Sequence, residues 1–240
     1  MLKDVKVEDL LFLDIETVSQ FASFDEVSPK MQELWEMKTA YFRKEDETAG
    51  DVYERAGIYA EFGKIVCISV GFIVTKNGDR TFRAKSFYGD DEKQLLGDFA
   101  AMLVRFCSKP KKNLCAHNGK EFDFPYIARR MLIHGLPLPD ILDVAGKKPW
   151  EVKFIDTMEL WKFGDYKHYT SLSLLCEVFN IPTPKDDIDG SMVGKVYWEE
   201  EDLERIAIYC EKDIFATAQL FLRYKGEELI PMENFERVLL

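Results

Sequence analysis

Leu10-Leu11-Phe12-Leu13-Asp14-Ile15-Glu16-Thr17 is the stretch from which the architecture follows. From Leu10 to Ile15 every residue but Asp14 is apolar. The run has the length of a strand buried on both faces, and such strands belong to sheets covered by helices. Its polar end predicts the edge of the sheet. Asp14 and Glu16 stand two apart, so in extended chain their carboxylates point to one side and can share a cation. A strand turning polar as it reaches solvent explains an isolated Asp-x-Glu more simply, and the pair alone decides little.

On the carboxyl side of this strand, residues 21–60 are rich in charge and carry Trp35, Tyr41 and Phe42 at irregular helical spacing. Turn signals there are few beyond Ser28-Pro29 and Gly50-Asp51, so the segment is expected to be a helical insertion. Two strand-like runs follow at 64–74 and 80–88, joined by Lys76-Asn77-Gly78-Asp79, and Asn-Gly is a strong hairpin signal. Asp90 or Asp91 is placed to cap a helix reaching Cys107, with Leu95, Leu96, Phe99, Met102, Leu103 and Phe106 in a three-to-four rhythm. A strand at 113–116 precedes a helix over 124–134, which starts at Pro125 and is stopped by Gly135-Leu136-Pro137. Further on, 153–155 reads as a strand, 171–179 as a helix, and 200–224 as a long amphipathic helix. The order predicts an α/β domain with a mixed sheet, a hairpin at its start and helices on its faces. No internal repeat or low-complexity segment is present.

At 240 residues, 47% of them hydrophobic, the chain can bury one substantial core, so a single domain over 1–240 with an insertion at about 21–60 is expected. A net charge of −11 argues against coating nucleic acid through a broad basic surface. It leaves room for gripping a strand end through bound metal. Cys67, Cys107, Cys115, Cys176 and Cys210 are scattered, odd in number and without zinc-ligand spacing, which reads as reduced, mainly buried thiols. The amino-terminal stretch lacks a signal-peptide core and the apolar run at 65–74 is too short to span a bilayer. A soluble, cytoplasmic protein without a membrane partner is expected.

Two further motifs change the weight of the first. His117-Asn118-Gly119-Lys120-Glu121-Phe122-Asp123-Phe124-Pro125-Tyr126-Ile127 leaves a strand and enters a helix, which puts Asp123 either at a helix cap or at the ligand-binding end of the sheet. In Tyr209-Cys210-Glu211-Lys212-Asp213 the four-residue separation puts Tyr209 and Asp213 on one helix face, beside the apolar stripe of Ile206, Cys210, Ile214 and Phe221. An acid at the margin of such a stripe is costly unless paired or metal-bound.

In this order, Asp-x-Glu, then Asn-x-x-x-Phe-Asp-x-Pro-Tyr, then Tyr-x-x-x-Asp, the motifs resemble the tyrosine branch of the DEDD 3′–5′ exonucleases. The proofreading exonuclease domain of family B DNA polymerases is the closest likeness. Ser171-Leu172 and Lys185-Asp186-Asp187-Ile188 also look like that family's linking region, so the resemblance runs from about Leu10 to Tyr224. It implies a ribonuclease H-like fold with a mixed five-stranded sheet flanked by helices, and a catalytic set of Asp14, Glu16, Asp123, Tyr209 and Asp213. It implies two ions, and hard oxygen ligands suit Mg²⁺ or Mn²⁺. Asp14, Glu16 and Asp213 would hold the water-activating ion, Asp14 would bridge to the second and Asp123 would hold that one through water. Tyr209 would orient the water, because a phenol with an ordinary pKa near 10 is a poor base. The histidine branch has a histidine five residues before its last aspartate, where this chain has Ile208.

The substrate implied is the 3′ end of a nucleic acid, single-stranded DNA in the first instance, released as mononucleotides. Thr17, Asn118, Lys120, Phe122 and Phe124 are the candidate substrate contacts, Lys120 on phosphate and the two phenylalanines stacking on terminal bases. Core packing is the stronger expectation for at least one of those rings, and loop-pinning hydrogen bonds for His117 and Asn118. The segment at 21–60 matches nothing in the family and suggests a repair or replication partner. With little chain after Asp213, the enzyme would act alone or in trans. An RNA-trimming exonuclease of the same fold and a non-catalytic binding module are the alternatives, since no motif reads the 2′ hydroxyl.

Overall fold

The computed structural model describes residues 2–109, 111–165, 169–182 and 188–238. Lys185-Asp186-Asp187 of the linking region, and His168, lie outside the described residues. Six strands, β1 (Leu10–Ser19), β2 (Gly63–Lys76), β3 (Asp79–Tyr88), β4 (Asn113–Ala116), β5 (Ile155–Asp156) and β6 (Phe235–Arg237), form one sheet in the order β5-β4-β1-β2-β3-β6. The sheet is mixed, as expected: β1 runs parallel to β4 and β4 to β5, while β2 is antiparallel to both β1 and β3. It has one strand more than expected. β6 is only three residues long, too short for a periodicity signal, and exists by pairing in parallel with β3.

The β2–β3 hairpin turns at Asn77 (φ 54°) and Gly78 (φ 93°), both left-handed as the two-residue primed turn requires. β1 continues four residues past the predicted end because β2 pairs with it as far as Ser19. Asp14 and Glu16 therefore sit within the strand and not at its end. β4 leaves β1 at the Phe12–Cys115 pair, so beyond Phe12 the strand has lost its parallel neighbour, and this opening is where the two acids lie. A bulge shifts the β1–β2 register between Glu16 and Thr17, with Val66 the extra residue. Val66 and Cys67 consequently both pack on the same side, with Val18 and Ile206.

Helices cover both faces. α2 (Glu92–Cys107), with Asp91 capping through the Gln94 amide, and α3 (Asp123–Ile133) lie on one side. There Leu11, Leu13 and Ile15 of β1 pack against Leu95, Leu96, Phe99, Leu103, Ile127 and Met131. On the other side α7 (Leu203–Lys225) packs Ile214, Phe215 and Phe221 on Leu10 and Phe12. Gly71 is required in this layer, because a Cβ there would stand 2.2 Å from the Phe82 ring. The short helices α4 (Thr157–Lys162), α5 (Leu172–Val178) and α6 (Val193–Trp198) surround α7, and α4 and α6 were not anticipated from sequence.

The insertion is less helical than expected. Only α1 (Pro29–Thr39) is α-helical, with 3-10 turns at Phe24–Glu26 and Tyr53–Ile58. It carries its own small core, in which fully buried Trp35 donates Nε1 to the Ala49 carbonyl at 2.9 Å and meets Tyr53, Tyr59 and Phe62 edge-on. The turns close around one aromatic anchor, so this packing takes the place of helical periodicity. No helix among the described residues is long and apolar enough to cross a membrane. The five cysteines are free, and all but Cys107 are buried.

Candidate active site

Alternation along β1 sends Leu10, Phe12, Asp14 and Glu16 toward α7 and Leu11, Leu13 and Ile15 toward α2 and α3. α7 meets the two acids with the face bearing Tyr209, Cys210 and Asp213. Cys210 reaches Asp14 twice, its Sγ lying 3.4 Å from Oδ2 and 3.5 Å from the main-chain oxygen. Donor atoms of Asp14, Glu16 and Cys210 all fall within 4.8 Å of one another. Tyr209 is hydrogen-bonded to Asp213, its helix neighbour four residues on.

Asp123 arrives from the other side of the sheet. It is the first residue of α3 and 2% exposed, yet it does not cap the helix. Instead its Oδ1 accepts the main-chain N–H of Ile15 at 3.0 Å, which fixes the carboxylate between Asp14 and Glu16. Of the two positions open to Asp123 in the sequence, helix cap or sheet, it takes the one at the sheet.

The loop that delivers Asp123 is anchored by a residue the sequence reading passed over. Asp156, at the end of β5 and 3% exposed, accepts the amides of Asn118 (3.0 Å), Lys120 (3.0 Å), Met158 (3.0 Å) and Glu159 (3.2 Å). It caps α4 and ties the loop to the sheet with one carboxylate. Ile155-Asp156-Thr157, a strand end meeting a helix start, carried the cap signal. His117 adds two bonds, Nδ1 with Thr157 Oγ1 and Nε2 with the Thr170 carbonyl, both at 2.9 Å. From the same helix, Glu211 accepts from Ser86 Oγ of β3 at 2.6 Å and is ion-paired with Arg237 Nε of β6 at 2.7 Å. The helix carrying Tyr209 and Asp213 is thus also tied to β3 and β6.

The electrostatics are those of acids crowded in a poorly solvated place. Burial is the largest cause pushing Asp14 well above the usual carboxylate range, followed by the charges of Asp123 and Asp213. Glu16 is raised in the same way by burial, Asp14 and Asp213. Asp123 is pushed up to about 7, chiefly by burial against the opposing pull of the Ile15 amide. Burial and the neighbouring Asp213 carry the Tyr209 phenol far above its ordinary value. Among the described residues no lysine, arginine or histidine is ion-paired with Asp14, Glu16 or Asp123. Asp14 and Glu16, whose oxygens approach within reach of one ion, fit a hard divalent cation.

The candidate substrate contacts separate. Phe124 is a core residue, 2% exposed with its ring 4.3 Å from that of Phe154, so it has no face for a base. Phe122 is half-buried against Tyr126 at 5.4 Å. Lys120 is ion-paired with Glu159, and so is not an unanswered cation awaiting phosphate. Thr17 points toward α3, where it hydrogen-bonds Tyr126. Asn118 sits in left-handed backbone (φ 64°) with its Oδ1 buried and without a hydrogen-bond partner.

A mixed sheet covered by helices, in which β1, α3 and α7 bring four carboxylates together, is the ribonuclease H-like architecture that the motifs imply. The chain belongs to the family described as a predicted 3′-5′ exonuclease related to the exonuclease domain of PolB, whose model matches residues 58–230. It is 26% identical over 155 residues to a DNA polymerase of Desulfurococcus sp. (strain Tok), covering 59% of this chain and 19% of that one. A DNA polymerase of Pyrococcus horikoshii is 27% identical over 133 residues, or 50% of this chain and 10% of that protein. The chain thus spans a fifth or less of these relatives. In fold it is similar to the family B DNA polymerase of Pyrobaculum calidifontis, with a TM-score of 0.52 and 16% identity over 90% of this chain and 24% of that one.

Proposed function

We propose that the chain hydrolyses phosphodiester bonds at the 3′ end of single-stranded DNA, releasing nucleoside monophosphates, with two divalent ions held by Asp14, Glu16, Asp123 and Asp213. The convergence of these acids, with burial and mutual repulsion raising Asp14, Glu16 and Asp123, carries this reading. When bound, Mg²⁺ or Mn²⁺ would supply an acidified water and stabilise the leaving oxygen. The chain's own residues set the geometry. Cys210 holds Asp14 from α7, the Ile15 amide holds Asp123, and Asp156 fixes the loop between them. Tyr209 remains a phenol at neutral pH, so it acts as a hydrogen-bond donor that orients the attacking water and takes no proton.

The test is digestion of end-labelled oligonucleotides with Mn²⁺ or Mg²⁺, comparing DNA with RNA of the same sequence. The expected result is stepwise loss of mononucleotides from the 3′ end of DNA, abolished by chelation. Asp14→Asn should lower the rate at least roughly a hundredfold, the scale of losing one electrostatic contact to the transition state. Inactivity with every metal, or full activity of Asp14→Asn, would overturn the assignment. Faster digestion of RNA would overturn the choice of sugar.

A further inference from the structure

α4 ends on Phe163, whose backbone is left-handed (φ 44°, ψ 35°) and whose side chain is 90% exposed. A bulky residue in that conformation is strained, and the one ring it meets among the described residues is Trp161, edge-on at 6.5 Å. Beside it, Trp161 lies parallel to Tyr224 of α7 (6.2 Å between centroids, 8° between planes) and edge-on to Phe179 at 5.5 Å. These four rings, with Lys3 and Arg223, line a groove of about 750 Å³. Neither Lys3 nor Arg223 has an acidic partner among the described residues. Two other charges at the groove are already answered: Lys225 donates to the Leu2 and Val5 carbonyls, and Glu227 pairs with Lys225 and Arg80. In a chain of net charge −11, this is a local reversal of sign beside the exposed ring of Phe163.

Aromatic faces with unpaired cations suit alternating bases and phosphates, and an uncharged apolar segment would leave both cations unanswered. The groove also stands in line with the carboxylates. Tyr224 is three turns beyond Asp213 on the same side of α7, roughly 16 Å along the axis. Trp161 also borders a smaller cavity of about 310 Å³, lined by Thr170 and Leu174, and the Thr170 carbonyl holds His117 at the base of the Asn118 loop.

We infer that this groove is a second nucleic-acid site, which takes a single-stranded segment upstream of the 3′ end placed at the carboxylates. The inference rests on the exonuclease reading of that site. It is tested by fluorescence anisotropy under chelation, which prevents cleavage, using labelled oligothymidylates of about four and about twenty nucleotides, the lengths that separate one site from two. Wild-type protein should bind the long strand more tightly than the short. Phe163→Ala and Arg223→Glu, both surface changes, should weaken the long strand roughly tenfold, the scale of one lost base–aromatic stack or phosphate contact. Phe163→Tyr should restore binding, and the Mn²⁺-dependent cleavage rate of the short strand should stay at the wild-type value in all three. Unchanged long-strand affinity in both Phe163→Ala and Arg223→Glu, as when the groove serves a protein partner, would overturn the inference while leaving the exonuclease intact. Wild-type protein that binds neither length and cleaves nothing would overturn the reading of the carboxylate site, and this one with it.

Discussion

Asp123 holds its place through one main-chain amide, and its carboxyl, raised to about 7, makes the metal-free site sensitive to pH. A folded-state value above the unfolded one of 3.8 contributes stability that is present below about pH 4 and lost as pH rises through 7. Metal-free protein should therefore lose thermal stability between pH 4 and 8, with Asp14 and Glu16 adding to the loss. Asp123→Asn keeps an acceptor for the Ile15 amide without the charge, and should flatten that decline in thermal melts recorded with chelator. At Tyr209 the expectation is different. Tyr209→Phe removes only the hydroxyl beside Asp213, and should lower kcat roughly tenfold to a hundredfold while leaving Mn²⁺ affinity, read by calorimetry, unchanged. Asp14 with Glu16 and Tyr209 with Asp213 were legible from a geometric rule, two apart on a strand or four apart on a helix, and Asp123 from its place between a strand and a helix. The tie of Asp156 to the Asn118 loop and that of Cys210 to Asp14 leave no local pattern, because their partners stand 36 or 38 residues away for Asp156 and 196 for Cys210.

Between elements, Glu92 at the start of α2 is the strongest tie. Its carboxylate accepts the Ile65 amide at 2.7 Å, Arg130 Nε at 2.8 Å and His134 Nε2 at 2.7 Å, and Arg130 passes on to the Ala60 carbonyl at 2.9 Å. One acid thus joins β2, α2, α3 and the end of the insertion. Burial pushes its pKa up, but Arg130 and the Ile65 amide outweigh this and hold it below the ordinary 4.5. Its contribution is present above pH 4.5 and fades as pH falls through the lowered value. Glu92→Gln would strand the buried guanidinium and should destabilise the protein by about 3–5 kcal/mol in urea titrations at neutral pH, with a smaller difference in acid. The long elements were visible in the sequence because their apolar spacing extends over several turns. α4 and α6, each six residues long, offer too few turns for a period to register. In the insertion, a single buried tryptophan organises turns that no repeat describes.

Across the whole molecule, the carboxylates come from residues 14–16, 123 and 213, so no local part of the chain can hold the site by itself. Ion binding is then coupled to global unfolding. Mn²⁺ at a hundred times its dissociation constant should stabilise the native protein by about 2.7 kcal/mol. Melting temperature should rise by roughly 5–10 °C, at about 2–4 °C per kcal/mol for a chain of this size. Asp14→Asn/Asp213→Asn should abolish the shift in a thermal-shift titration. The fold class was readable from element order, whereas the Val66 bulge and β6 were not, since both are properties of pairing and neither leaves a pattern in one strand. β5 and β6, the two outermost strands, are two and three residues long and the shortest of the six. Unpaired backbone at a sheet's border is what a second chain adds to when strands join end to end in aggregates. These two strands offer little of it, and the longer open edges are those of β3 beyond Ala84 and of β1 beyond Phe12, the second of which faces the carboxylate site.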